Sequence, residues 1–236
     1  MEFKKLKPIE IARQLGISTS ALRHYESWGI VPPPERAANG YRIYTEEHAA
    51  YFACIRAMLP GFGMDVVKET MKRIRQQETD DALWIVNECQ ARLHRDKKIA
   101  EQTIELLDTE GLGQADSAVG NDWMTIGEIA KMAEVPASAI RHWEKEGLLE
   151  PERHEENGYR IYHKGHLRQI LLIRTLRSAH YPIEVIREAM KNFDQHDIEK
   201  IREIAGQSLA FLNWVNRQQV KGIRYLYELC RLLKLI

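Results

Sequence analysis

Two sets of basic and aromatic residues recur along this 236-residue chain at matched spacing. The first set contains Arg23 and Arg42, and the second contains Arg141 and Arg160. A guanidinium can hold a phosphate, or the O6 and N7 edge of guanine, through two parallel hydrogen bonds. A histidine and an aromatic residue follow the first arginine of each set, and a tyrosine precedes the second. These residue types in this pattern indicate binding to nucleic acid.

Both sets belong to an internal repeat with an offset of 118 residues. Residues 8–44 and 126–162 are identical at 16 of 37 positions, and the hexapeptide Asn39–Tyr44 recurs unchanged as Asn157–Tyr162. Self-similarity at a fixed offset is the signature of a duplicated structural unit. We therefore expect two copies of one domain, over residues 1–75 and 123–194, with residues 76–122 between them and residues 195–236 after them.

Each copy begins with the pattern of two short helices joined by a tight turn. Pro8 suits the first position of a helix, and Gly16 can supply the left-handed turn that follows it. Glu134 occupies the turn position in the second copy. A second helix is predicted over Ser18–Trp28 and again over Pro136–Glu146. Two short helices with so tight a connection predict a helix-turn-helix.

The pattern then changes from helical to extended. Both copies of the hexapeptide begin with Asn-Gly, a strong hairpin-turn signal, and continue as a short alternating strand, which predicts a β-hairpin wing. A third helix is predicted from Thr45 to Leu59, a break at Pro60–Gly61 and a fourth helix over Asp65–Arg75. Tyr181–Pro182 is the matching break in the second copy.

The segments outside the repeats are predicted to be helical as well. Apolar residues recur at steps of three and four from Asp81 to Leu107, which predicts a connector helix packed along another helix. Gly111–Gly120 has no periodicity and is expected to be a flexible joint. The stretch Ile223–Ile236 is too apolar to stand in water, so the core or a partner must cover it. The predicted fold is mainly α: two winged helix-turn-helix domains, each with a helical hairpin, a connector helix and a C-terminal helix.

The residues of the second helix and the wing resemble the MerR family of bacterial regulators. The resemblance rests on Ala21–Glu26 with Asn39–Tyr44, and on Ala139–Glu144 with Asn157–Tyr162. It implies a sequence-specific, double-stranded DNA-binding transcriptional regulator that distorts promoter DNA so that RNA polymerase can use it. The family usually has one such head per chain followed by a dimerising helix, so the duplication is a departure from its pattern.

Recognition helices enter the major groove through their N-terminal half, and a wing arginine can reach the DNA backbone or the minor groove. Arg23 is the contact we expect first. The full set of expected DNA-binding residues is Ser18, Thr19, Ser20, Arg23, His24, Tyr25, Tyr41, Arg42, Ser138, Arg141, His142, Trp143, Tyr159 and Arg160. For the aromatic rings of Tyr25 and Trp143 a core role is the alternative, whereas Tyr44 and Tyr162 are expected to seat the wing strand on the core. For Arg23 and Arg42 the alternative is a structural ion pair.

Other features of the sequence limit the function further. The formal net charge is zero, although residues 1–75 carry 12 Lys/Arg against 8 Asp/Glu, so basic charge is concentrated in the first copy. Cys54, Cys89 and Cys230 are far apart and are expected to be buried free thiols. His163 and His166 have a spacing that could bind zinc, but a solvated helix start is the simpler expectation. We expect no cofactor, no metal and no enzymatic activity, because no nucleophile–base or paired-carboxylate arrangement stands out.

Several alternatives remain open from the sequence. We expect double-stranded DNA as the partner, RNA polymerase at the promoter as a further one, no membrane, and a cytoplasmic, nucleoid-associated location. An intramolecular pseudo-dimer of the two copies is favoured, and a homodimer with four copies stays open. The functional alternatives are an architectural, chromosome-organising DNA-binding protein and, from a different class, an interaction adaptor or enzyme.

Overall fold

The computed structural model describes residues 5–109, 123–194 and 197–236. Within these ranges the chain is mainly α-helical with short antiparallel strands, which confirms the predicted fold class. The predicted joint Gly111–Gly120 lies outside the described residues. The chain forms two compact units, Met1–Leu93 with Trp214–Ile236, and His94–Asn213. The first head, residues 5–75, belongs to the first unit, and the second head, residues 123–194, belongs to the second.

The first head is a winged helix-turn-helix. Pro8 begins α1 as predicted, and Gly16 ends it with a φ of 63°, a left-handed conformation that suits a residue without Cβ. The wing strands pair antiparallel, with Glu35 opposite Ile43, and a third strand joins them in the order β1-β3-β2. The elements are β1 (Lys5–Leu6), α1 (Pro8–Leu15), α2 (Thr19–Ser27), β2 (Glu35–Arg36), β3 (Arg42–Thr45) and α3 (Glu46–Arg75).

The second head repeats this arrangement with local changes. Glu134 occupies the turn position with a φ of 50°, so a residue with a side chain takes the strained conformation that Gly16 adopts easily. A single bridge between Met124 and Tyr162 replaces the pairing of β1 with β3. The elements are α5 (Ile126–Met132), α6 (Ala137–Lys145), β4 (Glu152–Arg153), β5 (Arg160–Ile161), α7 (Lys164–Ser178) and α8 (Ile183–Asp194).

The helical hairpin behind the first wing differs from its prediction in one detail. The predicted break at Pro60–Gly61 is wrong, because both residues lie inside α3 and the helix is interrupted at Gly63 instead. Gly63 has a φ of 76° and a ψ of 164°, a region that is open essentially only to glycine. In the second head the break falls between Ser178 and Ile183 as predicted.

Two long helices complete the units. The predicted connector helix is α4 (Thr79–Thr109), and the predicted C-terminal helix is α9 (Ile198–Leu232). In the first unit Leu226, Leu229 and Cys230 are buried among the core residues of the first head. The expectation that the core covers part of the apolar C-terminal stretch is therefore confirmed.

Helix α3 also has the length and composition of a membrane span, with a mean hydropathy of 1.2 in its most apolar window. In this structure Phe52, Ile55 and Met58 of that helix are fully buried in the core of the first unit. The apolar composition of α3 is therefore explained by its place as a core helix.

Candidate nucleic-acid interface

The helices predicted to read DNA present a serine, an arginine and a histidine outward in both heads. Ser18 caps α2, since its hydroxyl accepts a hydrogen bond from the backbone N–H of Ala21 at 3.2 Å. Arg23 and His24 are exposed on α2, and Arg141 and His142 are exposed at the matching positions of α6. Ser20 and Ser138 are also exposed, whereas Thr19 is half-buried. Each helix thus places one guanidinium and one imidazole on its solvent face.

The aromatic residues that follow these histidines face the opposite way. Tyr25 and Trp143 are only 5% and 6% exposed and lie in the cores of their units. The expectation that their rings offer an aromatic face to DNA is therefore corrected, and the alternative of a core role holds. The reason is the helical rotation, because Tyr25 lies three positions after the fully buried Leu22 and shares its face.

The wing tips share one turn contact, although the loop of the second wing is one residue longer, with five residues between the paired Arg36 and Arg42 and six between Arg153 and Arg160. The side-chain oxygen of Asn39 accepts a hydrogen bond from the N–H of Tyr41 at 3.2 Å, and Asn157 does the same for Tyr159 at 2.9 Å. In the first wing Gly40 lies between Asn39 and Tyr41 and has a φ of 81°. This turn leaves Tyr41 and Tyr159 each 74% exposed. A large aromatic side chain is thus held in solvent at the tip of each wing.

An ion pair ties each wing to its recognition helix. Nε of Arg42 lies 2.7 Å from Oε2 of Glu26, and Nε of Arg160 lies 2.7 Å from Oε2 of Glu144. The Glu26 carboxylate raises the pKa of the Arg42 guanidinium. The structural ion pair that the sequence left open for Arg42 is therefore present, and Arg160 has one as well. Each pair links a wing strand to the recognition helix of the same head.

The two glutamates of these pairs were not among the residues predicted for the interface. The sequence does contain a signal for both glutamates. Glu26 and Glu144 occupy equivalent positions of the repeat, and each lies 16 residues before the arginine with which it pairs. In the second head the Tyr162 hydroxyl also donates to Oε1 of Glu144 at 2.5 Å. Burial and this hydrogen bond raise the pKa of Tyr162. Tyr44 and Tyr162 are fully buried, so the core role expected for them is confirmed.

The recognition helix and the wing of the first head enclose a cleft of about 430 Å³. Four of the residues that line the cleft, Thr19, Arg23, Tyr41 and Arg42, belong to the DNA-binding set expected from the sequence. The residues around the cleft are Pro8, Thr19, Arg23, Asn39, Gly40, Tyr41, Arg42 and Tyr44. An open cleft lined by two arginines, a threonine and an exposed tyrosine suits a phosphate and its sugar.

The heads differ in the charge around their wings. In the second head Glu150, Glu152, Glu155 and Glu156 are all exposed. The corresponding part of the first wing carries one acidic residue, Glu35. Carboxylates near the expected path of the phosphates would oppose binding, so the first wing is electrostatically better suited to DNA.

The histidines with zinc-like spacing serve as helix caps. The backbone N–H of His163 donates to Nδ1 of His166 at 3.1 Å, and Gly165 N–H donates to Nδ1 of His163 at 2.9 Å. His166 is 6% exposed, so this helix start is less solvated than expected. One of these contacts recurs at the start of α3, where the backbone N–H of Thr45 donates to Nδ1 of His48 at 3.2 Å. Among the described residues no group of three or more His, Cys, Asp or Glu side chains could hold a metal ion.

The cysteines behave as packing residues. All three are free, Cys54 and Cys230 are buried, and Cys89 is half-buried. The expectation of buried free thiols thus holds fully for two of the three. Burial raises the pKa of each thiol, so these groups are neutral at physiological pH.

Comparison with known proteins gives matches to both heads. A family model described as "MerR HTH family regulatory protein" matches residues 124–193, and one described as "MerR family regulatory protein" matches residues 7–44. The HTH-type transcriptional regulator ZntR of Escherichia coli (strain K12) is 42% identical over 65 residues, which are 28% of this chain and 46% of that protein.

The HTH-type transcriptional regulator CueR of Escherichia coli O6:H1 is 32% identical over 91 residues, which are 34% of this chain and 67% of that protein. The CueR of Yersinia pestis is 36% identical over 63 residues, covering 26% of this chain and 45% of that protein. The chain spans about half the length of several of the curated relatives it matches. No solved structure matches it.

Proposed function

Because the chain belongs to the MerR family of regulatory proteins, we propose that it is a sequence-specific transcriptional regulator that binds double-stranded DNA. The observation that carries this proposal is the set of exposed residues and the ion pair that the two heads share. Each presents an exposed arginine and histidine on its recognition helix, and an exposed tyrosine on a wing tied to that helix by an ion pair. Helix and wing together can contact a major groove and the adjacent backbone.

The finer assignments are part of the same proposal. Arg23, Arg141 and the serines beside them would meet base edges and phosphates, and Tyr41 and Tyr159 would contact the backbone next to the wing. Binding would distort promoter DNA, with the energy supplied by added protein contacts, so that RNA polymerase can use the promoter. The protein would act in the cytoplasm on the nucleoid, without enzymatic activity.

We further propose that the two heads form a pseudo-dimer within one chain. In the first unit the first head packs against α9, where Nε2 of Gln219 donates to the carbonyl of Gly61 at 2.9 Å. In the second unit the second head packs against α4, where the hydroxyls of Thr103 and Thr175 lie 3.1 Å apart. Each head thus contacts the long helix that follows the other head, in addition to the long helix that follows itself. Shared contacts of this kind are what the two halves of one chain would show if they took the places of two subunits.

Contacts between the long helices support the same proposal. In the first unit Cys89 of α4 lies 3.7 Å from Nε2 of Gln219 of α9. In the second unit Asp108 of α4 forms an ion pair with Arg202 of α9 at 2.6 Å.

Selection of bound duplexes from a random pool by the purified chain tests the proposed function. We expect one preferred sequence with two protected half-sites whose centres are about 34 Å, or a multiple of that distance, apart on one face of the duplex. The affinity should fall steeply as salt rises, because phosphate contacts release counterions. Equal binding to every duplex would contradict a sequence-specific regulator and favour an architectural role.

The wing arginines give a second test, and they provide their own control. Arg42→Ala and Arg160→Ala each break a 2.7 Å ion pair to a glutamate of the recognition helix. Because both variants lose an ion pair of the same length, comparing them offsets the cost of losing that pair. We expect Arg42→Ala to cost more affinity, by about 1 kcal/mol, because a charged contact is lost in the less acidic wing.

Gel-shift titration at fixed salt measures this difference. Glu26→Gln is the matched control, since it weakens the same ion pair but keeps the Arg42 guanidinium. We expect a smaller loss for Glu26→Gln than for Arg42→Ala. Equal losses for Arg42→Ala and Arg160→Ala would show that the two wings contribute alike.

A further inference from the structure

Two rows of exposed residues run along the long helices of the first unit. The residues of each row follow one another at steps of three and four, so each row forms a straight stripe on one helix face. The acidic stripe of α4 consists of Asp81, Trp84, Glu88 and Ala91, and the basic stripe of α9 consists of Arg217, Val220, Arg224, Tyr227 and Arg231. All nine residues are exposed.

The apolar members of the stripes are unusually open to solvent. Trp84 is 70% exposed, Val220 is 58% exposed and Tyr227 is 56% exposed. Val220 and Tyr227 are seven residues apart, as are Trp84 and Ala91. Single exposed apolar residues are ordinary, but regular spacing at seven on a helix is the pattern of a packing seam.

The charged residues of each stripe also repeat every seven residues, and the two stripes carry opposite charges. Asp81 and Glu88 are seven residues apart on α4, while Arg217, Arg224 and Arg231 repeat every seven residues on α9. A row of carboxylates beside a tryptophan can accept guanidinium groups both as ion-pair partners and over the ring face. The two stripes are therefore complementary in charge and in spacing.

These helix faces are not part of the hydrophobic core of the first unit. Ala82 and Val86 of α4 and Leu226 and Leu229 of α9 point into the core, on other sides of their helices. Two members have neighbours within the chain, since Arg73 lies 3.8 Å from Asp81 and Arg224 lies 2.9 Å from Glu228. The outer faces of the two helices thus remain at the surface of the first unit.

We propose that these stripes join two copies of the chain, with the acidic stripe of each copy against the basic stripe of the other. Because every copy carries both stripes, the contact can be made twice around a two-fold axis and closes as a dimer. The dimer would present four heads, two from each pseudo-dimer. The contact surface lies outside the residues proposed to bind DNA, so the association does not depend on DNA binding.

Charge reversal in two separate variants tests the proposal. One variant carries Asp81→Lys with Glu88→Lys, and the other carries Arg217→Glu with Arg231→Glu. In either variant alone, stripes of like charge face each other, so we expect the dissociation constant of the dimer to rise at least about tenfold. In an equimolar mixture each variant meets an oppositely charged stripe twice, and we expect a heterodimer to form.

Sedimentation velocity of the full chain at low salt, from micromolar to submillimolar concentration, supplies the measurement. Lys200→Glu, a reversal on the first half of α9 outside the stripe, is the control and should dimerise like the parent chain. Circular dichroism and DNA affinity should be unchanged in every variant, which separates loss of association from loss of folding. A parent chain that stays monomeric at all concentrations, or a mixture that fails to restore the dimer, would overturn the proposal.

Discussion

Replacing Gly222 with alanine is expected to destabilise the first unit by about 2 kcal/mol, because the new methyl group would overpack a close helix crossing. A Cβ atom built on Gly222 of α9 lies 2.9 Å from Cα of Met58 and 3.2 Å from the ring of Phe62, both on α3. The nearest of these contacts is with backbone, so no side-chain rotation can relieve it. The two helices would have to separate.

Gly61 shows that the crossing is tight from both sides. A Cβ built on Gly61 of α3 would lie 2.6 Å from the backbone nitrogen of Gln219 on α9. The Gln219 side chain, which is 2% exposed, spans the same crossing and donates to the Gly61 carbonyl. The first head therefore depends on these two glycines for its contact with α9.

Gly206 provides the matched control on the same helix. A Cβ built there meets nothing within 4 Å, so Gly206→Ala should stabilise the chain by about 0.5–1 kcal/mol through helix propensity alone. Urea denaturation followed by circular dichroism measures both variants. Opposite signs for the two glycine substitutions are expected. Stabilisation by Gly222→Ala, as in the control, would show that α3 and α9 do not approach so closely.

Loss of a recognition-helix arginine is expected to have the largest effect on DNA binding. Arg23 and Arg141 are exposed at matching positions of α2 and α6, and each can make a bidentate contact to guanine or phosphate. We expect Arg23→Ala and Arg141→Ala each to weaken binding to the selected site by roughly tenfold to a hundredfold. The double variant should lose specific binding.

The control for these variants removes the same charge outside the proposed DNA-binding residues. Arg95 is exposed on α4, and Arg95→Ala should leave the affinity within about twofold of the parent chain because an exposed charge that does not touch DNA is largely screened. Thermal unfolding of all variants checks that folding is intact. Affinity loss in the arginine variants without change in melting temperature would assign both side chains to the interface.

Much of each head could be predicted from the sequence because the residues that begin and end its helices and form its turns act locally. Pro8, Gly16 and the Asn-Gly turns act through the conformations of single residues, and the structure places each of them where the pattern indicated. The helical period could also have placed Tyr25 correctly, since it shares a face with Leu22. The aromatic pattern alone favours a binding role for Tyr25, which the helical period outweighs.

The remaining features depend on neighbours that are distant in the sequence. The helix is interrupted at Gly63 rather than at the predicted Pro60, close to Gly61, which lies against α9. No pattern within α3 reveals that contact. Strand β1 contains only two residues, and its pairing with β3 is visible only in three dimensions. The Glu26–Arg42 pair likewise joins residues from different elements.

A pseudo-dimer requires that one chain supply both readers of one DNA site, and footprints of the single arginine variants measure whether it does. If the two heads act as a pseudo-dimer, Arg23→Ala should lose protection of one half-site and Arg141→Ala should lose protection of the other. This result does not depend on whether the chains associate further. If Arg23→Ala weakens both half-sites equally while Arg141→Ala weakens neither, two first heads from separate chains read the site, and the pseudo-dimer is contradicted.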